Sequence, residues 1–251
     1  MLRVGNVKKE FKSHRNTFII LDDINLEVEK GEFISIMGPS GAGKTTLLNI
    51  LSTVDKPTSG EVLYDQENIH TMKNKEVSKF RRDNIGFIFQ DYNLLDSMSV
   101  EDNIALPLVV SKTNAVTIQK EVQRLAFFFG IDDHLKKYPY ELSGGQKQRV
   151  AAARALITSP KIIFADEPTG ALDSKASSEL LNCLKDMNEQ FGVTVIMVTH
   201  DAFSASYSKK VIFMKDGKLH ARIDSGGDRK VFFTKIMDFL TSMGGEVSEL
   251  S

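Results

Sequence analysis

The chain has 251 residues, 41% hydrophobic and 26% charged, the proportions of a folded protein long enough to bury a substantial core. Its 33 acidic and 32 basic residues leave a formal charge of −1, without the basic excess of a nucleic-acid binder. The single cysteine, Cys183, excludes an internal disulfide, and its helix-like surroundings make it a buried structural thiol rather than a reactive one. The N-terminus has no apolar signal region, and no apolar run approaches the ~20 residues of a membrane span. Ile104 to Val110 is short and contains Pro107. These features point to a cytoplasmic protein whose membrane role, if any, requires a separate partner.

Residues 2 to 37 alternate apolar and polar positions (Val4, Val7 and Phe11, then Ile24, Leu26 and Val28) and read as strands, with Lys30-Gly31-Glu32 as a turn. The last strand, Phe33 to Met37, runs into Gly38-Pro39-Ser40-Gly41-Ala42-Gly43-Lys44-Thr45-Thr46, and the helix-like Leu47 to Leu51 follows. Gly38, Gly43, Lys44 and Thr45 satisfy the spacing G-x-x-x-x-G-K-[ST]. Glycines let backbone N–H groups turn toward phosphate oxygens, and the helix N-terminus adds free N–H groups and partial positive charge. Lys44 can reach the β and γ phosphates, and the Thr45 hydroxyl can ligate Mg²⁺. A glycine-rich turn that binds nothing is the alternative; the flanking strand and helix weigh against it.

Lys56-Pro57-Thr58-Ser59-Gly60 breaks the chain before a short strand, Glu61 to Tyr64. Residues 71 to 82 read as a charged helix, and Ile85 to Phe89 as a buried strand ending at Gln90. Residues 91 to 160 are mainly helical and read as a subdomain inserted into an α/β core. Ser99 begins a capping pattern. Ile118, Val122, Leu125, Ala126 and Phe129 share one helical face closed by Gly130. Phe127-Phe128-Phe129 reads as packing. Leu142-Ser143-Gly144-Gly145-Gln146 opens a third helix running to about Ile157, a second candidate anion site at a helix N-terminus. An ordinary serine cap is the alternative.

The core resumes at Ile162-Ile163-Phe164-Ala165, which ends in Asp166 and Glu167. Ligands sit at the carboxyl ends of parallel strands. There Asp166 could hold Mg²⁺ through water, and Glu167 could orient and polarise an attacking water. A helix is expected over about 175 to 190. The strand Val193 to Thr199 then places His200 on the same rim, for a γ-phosphate contact; His14, His70, His134 and His220 read as surface residues. Val211 to Leu219 reads as a hairpin closed by Asp216-Gly217. Phe232, Phe233, Ile236, Leu240 and Met243 mark an amphipathic helix before Gly244-Gly245, with Glu246 to Ser251 loose. The second anion site needs a second phosphate, and a two-fold dimer supplies it: each copy's Ser143 to Gln146 closes over the nucleotide of the other.

In order and spacing, Gly38 to Thr46, Gln90, Leu142 to Gln146, Ile162 to Glu167, Gly170-Ala171-Leu172-Asp173 and His200 resemble the ATP-binding-cassette (ABC) nucleotide-binding subunits over nearly the whole chain. The resemblance implies a P-loop NTPase fold: a RecA-like α/β core over 1–90 and 161–222, with an antiparallel β subdomain, an inserted α-helical subdomain over 91–160 and a C-terminal helix over 229–243. It implies ATP and Mg²⁺ as ligands, Glu167 as catalytic carboxylate, and His200 as switch. By the same resemblance Gln90 would touch Mg²⁺ and the attacking water and sense the membrane partner. The resemblance also implies that Ser143, Gly144, Gly145, Gln146 and Asp173 act from the second copy of a head-to-tail ATP sandwich. Phe11 falls where the family places an adenine-stacking aromatic. Residues Phe87 to Leu95, Tyr138 to Leu142, Phe164 to Lys175 and Gly226 to Phe233 further resemble the branch serving FtsX/MacB-type permeases, most of all the ATPases of bacitracin and lantibiotic resistance in Gram-positive bacteria. That implies a peripheral protein on the cytoplasmic face of the membrane. A lipoprotein-release or cell-division ATPase, or an ABC ATPase without a transport role, are the rival functions.

Overall fold

A computed structural model describes residues 1–13 and 16–248. Ten strands and eight α-helices are placed there. The centre is a six-stranded sheet in the order β10-β9-β3-β8-β7-β6, made of β3 (Phe33–Met37), β6 (Ile85–Phe89), β7 (Ile162–Asp166), β8 (Thr194–Thr199), β9 (Lys210–Lys215) and β10 (Lys218–Asp224). β6, β7, β8, β3 and β9 run parallel, and β10 returns antiparallel. β3 and β8 are buried at every position, which explains why their sequences are continuous apolar runs rather than alternating ones. The β9–β10 hairpin turns at Asp216 and Gly217, both at positive φ (48° and 75°), the two-residue geometry that Asp-Gly favours.

A second, four-stranded antiparallel sheet has the order β2-β1-β4-β5, from β1 (Leu2–Ser13), β2 (Asn16–Val28), β4 (Ser59–Tyr64) and β5 (Glu67–Asn68). Its inner face, with Leu2, Val4, Leu21, Ile24 and Val62, packs on α1 (Lys44–Leu51) and the central sheet in one apolar cluster. The opposite face of the central sheet is covered by α5 (Gly144–Leu156) and α6 (Ser174–Phe191), in a cluster that also holds the buried residues of α3 (Val100–Val110) and α4 (Ala115–Phe128). Helix α2 (Asn74–Asn84) precedes β6, and the short α7 (Ala202–Ala205) follows β8.

Helix α8 (Arg229–Ser248) docks through Phe232 and Ile236, both fully buried, on Val211, Phe213 and α7. Asp228 starts it by accepting from the N–H groups of Lys230 (2.8 Å) and Val231 (3.1 Å). The helix does not stop at Gly244-Gly245 as the sequence suggested. Glycine lowers helix propensity but keeps its N–H, so it weakens a helix without breaking the ladder. The expected loose end is therefore helical through Ser248, and residues 249–251 lie outside those described, as does His14.

Three further expectations change. Phe127 is 77% exposed while Phe129 is buried, because successive residues of a helix point about 100° apart. His70 and His134 are half-buried, each with one ring nitrogen buried and unpartnered, so neither is a surface histidine. Burial pushes the His70 imidazole below its ordinary pKa. His220 is exposed, as expected. Cys183 is half-buried against the α6 core, and burial raises its thiol pKa, as a structural cysteine requires.

Candidate nucleotide site

Parallel register brings the site together. Phe89 pairs with Asp166, Asp166 with Val198, and Met37 with Thr199. Gln90, Glu167, His200 and Gly38 therefore leave adjacent strands at the same edge of the sheet. Strands lie about 4.8 Å apart, so four loops from distant parts of the chain share one rim.

The loop from Gly38 to Thr46 wraps the N-terminus of α1. Gly43 has φ 96°, and a Cβ there would lie 2.8 Å from the carbonyl oxygen of Ile20. At Gly38 a Cβ would lie 2.0 Å from the Met214 carbonyl oxygen. Both positions thus exclude any side chain, through left-handed backbone at one and close approach of β9 at the other. Ala42 is buried; Pro39, Ser40 and Gly41 are exposed. Lys44 is 8% exposed, and its Nζ donates to the carbonyls of Gly38 and Pro39, each at 2.9 Å. The ammonium therefore lies folded inside the loop, held by neutral acceptors that an anionic oxygen can displace. Thr45, exposed, places Oγ1 3.3 Å from Asp166 Oδ1.

Asp166 is half-buried, and burial pushes its carboxyl above the ordinary pKa. The Glu167 charge pushes the same way, while the Thr45 hydrogen bond and the Lys44 charge oppose. Glu167 has φ 46°, an uncommon left-handed conformation for a residue with a side chain. Its N–H donates to the Val198 carbonyl (2.9 Å) and its carbonyl accepts from Gly170 N–H (3.0 Å). That kink turns the carboxylate out of the strand toward His200, whose Nδ1 lies 3.0 Å from Glu167 Oε1. Glu167, Gly170 and His200 line an open groove of about 850 Å³ whose other wall is α8, with Phe233, Met237 and Leu240. Gln90 is exposed beside them, and a Cβ on Gly170 would lie 3.0 Å from its amide.

Ser143 caps its own helix in this chain. Ser143 Oγ accepts from Gln146 N–H (3.3 Å), and Gln146 Oε1 accepts from Ser143 N–H (2.9 Å), a reciprocal capping box. Gln146 Nε2 also reaches His134 Nε2 at 2.8 Å. Gly144 faces Tyr92 and Leu172, and Gly145 faces Ala176. Asp173 likewise caps a helix: its Oδ1 accepts from the N–H groups of Lys175 and Ala176, each at 2.9 Å, at the start of α6. Ser143 and Asp173 remain exposed. Phe11 is half-exposed at the β1–β2 edge, directly opposite Phe18, with Lys9 Nζ 5.0 Å from its ring centroid. The position of Phe18 across from Phe11 becomes visible only once the strand register is known.

Residues 21–170 match the family model described as ABC transporter. The chain belongs to the ABC transporter family. It is 46% identical over 251 residues to the ABC transporter ATP-binding protein YxdL of Bacillus subtilis, covering 100% of this chain and 97% of the relative. It is 47% identical to the bacitracin export ATP-binding protein BceA of Halalkalibacterium halodurans, over 98% of this chain and 97% of that one. The dimeric post-hydrolysis structure of the ATP-binding cassette MJ0796, bound to ADP and Pi, superposes with a TM-score of 0.83 at 40% identity, covering 91% of this chain and 100% of that chain. The protein is an ABC transporter ATPase, the ATP-binding subunit of its transporter. No described helix is long and apolar enough to cross a membrane.

Proposed function

We propose that this ABC ATPase powers a peptide-antibiotic resistance transporter of the bacitracin and lantibiotic type, working on the cytoplasmic face of the membrane through an FtsX-type permease. The observation that carries this reading is the 47% identity to a bacitracin export ATPase over 98% of the chain.

Lys44 releases the carbonyls of Gly38 and Pro39 and turns to the β and γ phosphates, while the N–H groups of 38 to 46 hold the phosphate oxygens. Phe11 stacks on adenine. Among the described residues no group of three or more His, Cys, Asp or Glu could hold a metal alone. The pair Thr45 and Asp166 offers hard oxygen donors, and Gln90 adds an amide oxygen, a partial set that suits Mg²⁺ shared with substrate phosphates. Held by these residues, Mg²⁺ would neutralise phosphate charge. Glu167 accepts the proton of the attacking water, and His200, in contact with Glu167, meets the γ-phosphate. Ser143 to Gln146 and Asp173 close the site from a second copy in a head-to-tail dimer. ATP favours the closed dimer, and hydrolysis removes that preference. The core is 1–90 and 161–222, the helical subdomain 91–160, and the permease docks near Gln90 to Leu95.

Three experiments test this. Deleting the gene in its native host should raise sensitivity to bacitracin or a lantibiotic, and pull-down should recover a large permease. Unchanged sensitivity to both, with recovery of a lipoprotein-release or cell-division permease instead, overturns the antibiotic reading. Cysteines at Ser40 and Ser143 should cross-link between copies in ATP; links within one copy alone overturn the shared site.

A further inference from the structure

Helix α5 does more than present Ser143. It carries two polar side chains that grip the loops bearing Gln90 and Glu167. Gln148 is fully buried, and its Nε2 donates to the carbonyl of Phe89 at 3.1 Å and to that of Pro168 at 2.7 Å. Those carbonyls belong to the residue immediately before Gln90 and the residue immediately after Glu167. Arg154, nearly two turns further on, donates from Nη1 to the Asn93 carbonyl at 2.6 Å and from Nη2 to the Tyr92 carbonyl at 2.9 Å. The Tyr92 ring completes the grip at the other end of α5. A Cβ on Gly144 would lie 2.9 Å from its hydroxyl, and Lys147 Nζ sits 6.0 Å from its centroid.

The gripped segments carry unfavourable backbone, and the side-chain bonds from α5 add to the few backbone bonds that hold them. Tyr92, Asn93 and Glu167 have φ of 61°, 47° and 46°, left-handed values unfavourable for residues with a Cβ. The grip has its own cost. Gln148 Oε1 is buried with no partner, and burial is heavy enough at Arg154 to push its pKa down. Ordinary core packing would use an apolar side chain at 148. The amide is explained by the two carbonyls that only a two-donor group can bridge.

We propose that Gln148 and Arg154 are positioning residues for ATP hydrolysis, fixing the Gln90 loop and the Glu167 turn to α5. The proposal rests on the reading that Gln90, Glu167 and Ser143 serve ATP. Neither side chain reaches into the phosphate loop; each acts through a backbone carbonyl.

The test uses the full chain with ATP and Mg²⁺, comparing Gln148→Met, Arg154→Met and Arg154→Lys for kcat, for equilibrium affinity toward a fluorescent ATP analogue, and for thermal midpoint. Gln148→Met keeps the volume and removes both donors. Displacing catalytic groups by a fraction of an ångström to an ångström lowers rate by about 10- to 100-fold. The expected result is that loss of kcat in both methionine variants, with nucleotide affinity within about twofold of the parent, since the phosphate loop is untouched. Arg154→Lys should recover part of the rate, because an ammonium can serve one of the two carbonyls. A kcat within about twofold of the parent in both methionine variants overturns the proposal. So does a rate loss matched by an equal loss of affinity, or one that disappears well below the melting midpoint, since either marks a purely structural role. If Gln148→Met does not fold, the two Arg154 variants decide. Failure of the underlying site reading looks different: Glu167→Gln would then keep the parental rate.

Discussion

Glu167→Gln separates the chemistry of the site from its architecture. The amide is isosteric with the carboxylate, and it can face His200 Nδ1, 3.0 Å away, with either its oxygen or its nitrogen. The left-handed backbone at 167 is held by bonds to Val198 and Gly170 that the substitution leaves in place. Removing one of two adjacent acids also relieves a charge that raises the Asp166 pKa. Stability without nucleotide should therefore stay within about 0.5 kcal/mol of the parent, as for surface changes that break no packing. The lost element is a proton acceptor beside the attacking water. General-base catalysis is worth about 10²- to 10⁴-fold. At ~1.36 kcal/mol per decade, that is about 2.7 to 5.4 kcal/mol of barrier. Single-turnover phosphate release should fall by that factor, ATP affinity should hold, and gel filtration in ATP should show a persistent dimer. A rate within about threefold of the parent refutes the assignment. A parallel collapse of ATP affinity would show that Glu167 serves binding or folding instead.

Asp166→Asn should stabilise the nucleotide-free protein at neutral pH. The folded Asp166 pKa is raised, so the folded state binds more protons than the unfolded state between the ordinary value of 3.8 and the raised one, and stability falls as pH rises through that window. Urea melts should show the variant's advantage at pH 7 and its disappearance below pH 3.8, the ordinary value. Ser143→Ala removes the acceptor for Gln146 N–H and should cost about 1 kcal/mol in chemical denaturation, while ATP-driven dimerisation falls by more than that loss explains. Phe232→Ala leaves a void where α8 meets Phe213 and should cost about 3 to 5 kcal/mol by thermal melt, with ATP affinity retained at temperatures where the variant is folded.

Much of the fold is written locally. The run from Phe33 to Thr46 needs only strand, glycine loop and helix in succession, and neighbouring residues dictate each. Buried parallel strands announce themselves as Ile162 to Ala165 and Val195 to Val198 because both faces are covered. The strand-end placement of Gln90, Glu167 and His200 was legible for the same reason. Single-residue environments were not. His70, His134 and Phe127 differ from expectation because burial of an isolated side chain depends on what another element lays over it. The sequence marks Ser143 and Asp173 as ligand groups but does not show that each also caps its own helix, because the same short polar side chains suit either use.

The sequence by itself determined the identity of each loop, the strand it follows and the chemistry its residues can perform, since those depend on contacts a few positions apart. Only the tertiary structure decided that Phe89 lies beside Asp166 and Met37 beside Thr199, which sets four loops on one rim. It alone decided that Gln148 and Arg154 grip the loops at 89–93 and 168, although both lie more than fifty residues from the first and Gln148 lies 20 from Pro168 in the chain. The physical reason is that a side-chain amide or guanidinium bonded to a backbone carbonyl leaves no periodicity and requires no particular residue at the acceptor, because every residue carries that carbonyl.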